Sequence, residues 1–126
     1  ELADLELNSG RKAGVLQKIQ ELFEQKKVYL RSSLTIQEVA DCIGTNRTYI
    51  SSVINEFSKQ NFSAFVNQYR LQELEKILRS GQNLQAHQLA ELTGFGSVDS
   101  MKRALKMKTN KSLTKLKEEI TKQSHK

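Results

Sequence analysis

A single glycine between two helical stripes constrains this chain more than any other feature. Leu34 to Phe57 reads LTIQEVADCIGTNRTYISSVINEF. Thr35 followed three residues later by Glu38 forms a capping box, in which the hydroxyl takes one free amide and the carboxylate reaches back to another. Ile36, Val39, Ala40 and Ile43 recur at i, i+3, i+4 and i+7, one face of a helix. Gly44 suits the left-handed backbone that closes such a helix. Asn46 is a good N-cap for a second helix, with Tyr49, Ile50, Val53, Ile54 and Phe57 as its buried face. Its opposite face is Arg47, Thr48, Ser51, Ser52 and Asn55, small, polar and free of carboxylates. Helix, glycine turn and polar-faced helix make a helix-turn-helix, whose second helix fits a DNA major groove.

The same pattern returns fifty residues on. Leu34-x-Ile36-x-x-Val39-Ala40-Asp41-x-x-Gly44 matches Leu84-x-Ala86-x-x-Leu89-Ala90-Glu91-x-x-Gly94. After a one-residue insertion, Asn46 matches Ser97, Ile50 matches Met101, and Val53-Ile54 matches Ala104-Leu105. The exits also correspond, Phe62-Ser63-x-Phe65 against Leu113-Thr114-x-Leu116. Two helix-turn-helix units in tandem are therefore expected, in an all-α chain rich in helix formers and without proline.

Boundaries follow from punctuation. Residues 1–10 contain Asn8-Ser9-Gly10 and read as the end of a linker. Residues 11–60 form the first unit with a leading helix carrying Val15, Ile19, Leu22 and Phe23. Residues 61–81 hold a connecting helix of ~16–18 residues, roughly 25 Å long, closed by Ser80-Gly81. Residues 82–121 form the second unit, and 122–126 a basic tail. That connecting length, plus the half-widths of the two flanking units, is compatible with the ~34 Å repeat of duplex DNA.

Charge is skewed along the chain. Of a net +6, residues 102–126 hold nine Lys/Arg against Glu118 and Glu119, net +7, so the remainder is slightly acidic. A basic C-terminal region suggests a polyanionic partner. One cysteine excludes an internal disulfide and points to a reducing compartment. No apolar run approaches the ~18–20 residues a membrane span needs. A cytoplasmic location without membrane contact is expected, and the start at Glu1 suggests a piece of something longer.

The domain resembles the C-terminal DNA-binding domain of AraC/XylS-family bacterial transcription regulators, from about Val15 to Lys117. Leu34-Thr35-Ile36-x-x-Val39-Ala40, Gly44-x-Asn46-x-x-Tyr49-Ile50-Ser51 and Phe62-Ser63-x-Phe65-Val66-Asn67-x-Tyr69-Arg70-Leu71 carry the resemblance. Leu89-Ala90-x-x-x-Gly94-Phe95-x-Ser97 is its most specific part. The chain departs from the family pattern at Lys59, Thr93, Leu105, Asn110, Leu113 and Leu116. The resemblance implies seven helices, a missing upstream sensor or dimerisation region, and RNA polymerase subunits as further partners.

It also implies which residues meet DNA. By position, Arg47, Thr48, Ser51, Ser52 and Asn55 face bases in the first unit, and Val98, Asp99, Lys102 and Arg103 in the second. Arg47 and Arg103 can bond guanine bidentately, Asn55 suits adenine, and Ser and Thr reach phosphates or thymine methyls. Arg47 equally fits a phosphate contact, and Asp99 suits a cytosine amino group or the favourable charge of a helix start. Lys106 suits phosphate, as do Thr35, Ser63 and Thr114 at helix starts.

Catalytic, cofactor and metal sites are not expected. His87 and His125 lie far apart without a second ligand at i+3 or i+4. Cys42 has no neighbouring histidine. The competing reading is a helical protein-interaction module with a degenerate second helix-turn-helix, binding a polymerase subunit or a partner regulator.

Overall fold

The computed structural model describes residues 2–124, with side chains from residue 10 to residue 123. His125 and the last residue of the basic tail lie outside that range. Seven α-helices and one 3-10 turn account for most of the described residues, and none of these is in a strand. The helices are α1 (Leu2–Glu24), α2 (Ile36–Ile43), α3 (Arg47–Ser58), α4 (Phe62–Arg79), α5 (Ala86–Leu92), α6 (Val98–Thr109) and α7 (Leu113–Ser124).

Gly44 and Asn46 end and start their helices as expected, and at Thr35 the Glu38 side chain takes up the capping hydroxyl. Thr35 sits extended before α2, and its hydroxyl accepts the Glu38 amide at 3.2 Å while donating to the Glu38 carboxylate at 3.3 Å. Gly44 closes α2 at φ 87°. Asn46 caps α3 through the Tyr49 amide at 2.9 Å, and Ser97 caps α6 through the Ser100 amide at 3.1 Å. The two corresponding exits both turn left-handed without glycine, at Lys59 (φ 59°) and Asn110 (φ 60°).

Two expectations are corrected. The segment read as a linker end is helical from Leu2, because extending a formed helix gains a backbone hydrogen bond per residue and overrides a short turn signal. Phe57 is not buried: it is 48% exposed in the last turn of α3, one turn beyond the packed part of the stripe.

The chain divides into two compact units, residues 1–28 with 33–65 and residues 29–32 with 66–126. The first turn of α4 thus belongs to one unit and the rest of that helix to the other. In the first unit Ile19, Phe23, Val39, Ala40, Ile50, Val53, Ile54 and Phe65 are buried, with Phe23 and Phe65 edge to face at 5.0 Å. Burying the Ile, Val and Phe side chains among these stabilises by about 1.5–3 kcal/mol each. Lys12 of α1 pairs with Glu56 of α3 at 2.7 Å, and that hydrogen bond raises the lysine's pKa.

The second unit packs Leu74, Leu89, Ala90, Phe95, Met101, Ala104, Leu105 and Leu113 together. Thr93 is fully buried, and its hydroxyl is satisfied by donating to the Leu89 carbonyl at 2.7 Å. Residues 29–32 form a strap on this unit. Tyr29 is buried, stacks on Tyr69 at 5.5 Å and reaches Glu73 at 3.5 Å. Burial, then Glu73, pushes the Tyr29 pKa up.

Candidate nucleic-acid interface

Capping and stripe together determine what α3 presents. With Ile50, Val53 and Ile54 fully buried, the 3.6-residue period turns Arg47, Thr48, Ser51, Ser52 and Asn55 outward, and all five are exposed. These five line one concavity of about 620 Å³ with Ile36 from the start of α2 and Asn61 from the start of α4. Every base-facing residue expected in the first unit is therefore brought to one surface.

A concavity of about 550 Å³ occupies the corresponding place in the second unit. Its walls are Ala86 at the start of α5, Lys102 and Lys106 of α6, and Lys111 to Thr114 leading into α7. By the internal repeat, Ile36 matches Ala86, Ser51 matches Lys102, Asn55 matches Lys106, and Asn61 matches Ser112. The same three-sided recess is thus built twice from different side chains. The first holds one cation and the second holds three.

Not every expected residue reaches these surfaces. Val98 turns inward and packs against the second unit's core, because the first residue of α6 lies on the flank of the Met101–Leu105 stripe. Asp99 and Arg103 are exposed on α6 outside the recess. Asp99 lies in the first turn, where its charge favours the helix start. Ser63 and Thr35 are exposed but do not line the first recess, whereas Thr114 does line the second.

The caps of the two exit helices lie two residues before Ser63 and Thr114. Asn61 accepts the Ala64 amide at 2.8 Å, and Ser112 accepts the Lys115 amide at 3.1 Å. Sequence reasoning missed Asn61, Ser112 and Lys111 as parts of the surface. The register that aligns Asn46 with Ser97 aligns Asn61 with Ser112, so the signal was present in the repeat.

Electrostatics distinguish the two surfaces. Lys111 donates to Glu119 at 2.6 Å, and this bond holds the Glu119 pKa below its ordinary value. Lys106 reaches only the Asn110 carbonyl, at 3.4 Å. Lys102, Arg103 and Lys106 leave a cationic row on an exposed helix face. Among the described residues, no group of three or more His, Cys, Asp or Glu could hold a metal, and no helix is long and apolar enough to cross a membrane. Cys42 is a free, exposed thiol, and His87 is exposed.

Comparison with known proteins places this geometry in context. A family model described as "Helix-turn-helix domain" matches residues 39–119. No curated protein sequence matches the chain. Among solved structures, the C-terminal domain of AraT, a response regulator from Geobacillus stearothermophilus, is similar with a TM-score of 0.71. It is 22% identical, over 82% of this chain and 83% of that one. The C-terminal domain of the two-component response regulator yesN from Fusobacterium nucleatum is similar with a TM-score of 0.68. It is 18% identical, over 79% of this chain and 97% of that one. At those identities the likeness is one of fold.

Proposed function

The chain belongs to the AraC-type helix-turn-helix family, and on that premise we propose that it binds double-stranded DNA sequence-specifically, with α3 and α6 entering successive major-groove segments. The observation that carries this reading is the repeated recess, in which a recognition helix is flanked by the starts of two other helices. A groove about 12 Å wide admits such a helix, whose diameter with side chains is about 10–12 Å.

Roles divide between the units. In the first, Thr48, Ser51, Ser52 and Asn55 supply base contacts, and Arg47 takes a guanine or a phosphate. In the second, Arg103 reads a guanine, while Lys102, Lys106 and Lys111 neutralise phosphates with Thr114. The first unit then contributes more of the sequence preference and the second more of the affinity. This reading places the protein in the cytoplasm with the DNA it binds.

Binding-site selection on a random duplex pool, followed by affinity against salt, tests the proposal. Log affinity should fall linearly with log salt, with a slope of about −0.9 for each phosphate neutralised. Affinity that is flat in salt, with no enriched sequence, would return the protein-interaction reading.

A further inference from the structure

We propose that α3 recognises thymines through their 5-methyl groups, so that part of the half-site facing the first unit is read by apolar contact. The inference rests on the DNA-binding reading above and names the base chemistry that the first recess is shaped for. Its walls set the half-buried Ile36 beside Thr48 and the short side chains of Ser51 and Ser52, with Arg47, Asn55 and Asn61 completing the lining. No carboxylate is among them, so the face offers no charged acceptor for a cytosine amino group. A threonine methyl against the thymine methyl is a standard major-groove contact, and cytosine lacks that methyl.

Depth in the groove gives a second argument. The major groove is about 8.5 Å deep, and the thymine methyl projects into it from the base edge. Side chains as short as Ser and Thr contact that edge only if the helix seats closely, and the centre of the α3 face is made of them. The α6 face instead carries Lys102, Arg103 and Lys106, whose long, charged side chains reach outward to phosphates and guanine. Two recesses of one design therefore suit different chemistry: methyl contact in the first unit, charge in the second.

The test uses the whole chain and a duplex obtained by selection. Each thymine is replaced in turn by uracil, which removes only the 5-methyl group. Thymines read by α3 should lose about fourfold in affinity per methyl, the equivalent of about 0.8 kcal/mol for one buried CH₂-sized group. The sensitive positions should cluster in one half of the site. Thr48→Ser keeps the hydroxyl and removes the methyl, so it should bring the thymine-to-uracil ratio at one position close to one, with melting and salt slope unchanged. Specific binding that ignores uracil everywhere, a selected half-site without thymine, or sensitivity unmoved by Thr48→Ser would each overturn the inference and leave DNA binding standing. Absence of any sequence-specific duplex binding would overturn both.

Discussion

The Arg70 guanidinium holds the backbone of Tyr29, donating from Nε to the Tyr29 carbonyl at 2.8 Å and from a terminal nitrogen to the Arg31 carbonyl at 3.0 Å. The same group lies 5.8 Å from the Phe95 ring centre, and burial lowers its pKa. Arg70→Ala removes a charged donor from a part-buried carbonyl, which should cost about 1.5–3 kcal/mol in a denaturant titration. Arg70→Lys keeps the charge but not the planar fork, and should recover only part of that loss. Equal stability of Arg70→Ala and the parent would show that water replaces the guanidinium at no cost.

Gly44 and Gly94 share the same φ of 87° but not the same surroundings. Nothing lies within 4 Å of a Cβ at Gly44, so Gly44→Ala meets only left-handed backbone strain, about 1–2 kcal/mol. A Cβ at Gly94 would fall 2.2 Å from the Tyr29 carbonyl oxygen and 2.8 Å from the Leu30 Cα. Neither backbone atom can swing aside. Gly94→Ala should therefore cost more than about 3 kcal/mol, seen as a shift of the denaturation midpoint. A smaller effect at 94 than at 44 would contradict the packing of the strap.

Lys106→Ala should weaken binding to all duplexes alike and make the salt slope shallower by about one unit. Altered preference at a single base pair would instead make Lys106 a base reader.

Arg103→Ala should leave melting nearly unchanged, since exposed substitutions shift stability by about 0.5 kcal/mol or less. Loss of a bidentate guanine contact should cost about 1–3 kcal/mol of binding and relax one position of the site. Unchanged specific binding would remove Arg103 from the interface.

The Lys111–Glu119 pair predicts a pH effect of definite sign. Because the folded pKa of Glu119 is depressed, the stability this pair contributes is present above the unfolded carboxylate value, about 4.3, and is lost as pH falls through the folded value. Lys111→Ala should raise the Glu119 pKa in an NMR titration. An unmoved value would assign the depression to another cause.

The helices were legible in the sequence wherever burial and capping agree. Ile50, Val53 and Ile54, with Asn46 ahead of them, define α3 and, by elimination, its outer face. Phe57 continues the stripe in sequence but not in packing, since periodicity carries no information about where a neighbour ends. Val98 misled for the opposite reason: carried over by position as a base reader, it instead faces the core. The strap was invisible because two of its anchors are main-chain carbonyls, which any residue supplies, and its one buried ring, Tyr29, lies outside any periodic stripe. Only the bare Gly94 and the lone guanidinium of Arg70 hinted at it.

Sequence order and material order part company at that strap. The second unit takes four of its residues, Tyr29 to Ser32, from a stretch that precedes the whole first helix-turn-helix. A fragment starting at Val66 would carry all of α5 to α7, yet leave Tyr69 without its stacking ring and Arg70 without both carbonyls. The second half cannot be cut out as one contiguous piece of gene without losing part of its own interior. Each half packs its own core, yet the boundary between them cannot be drawn with a single cut in the chain.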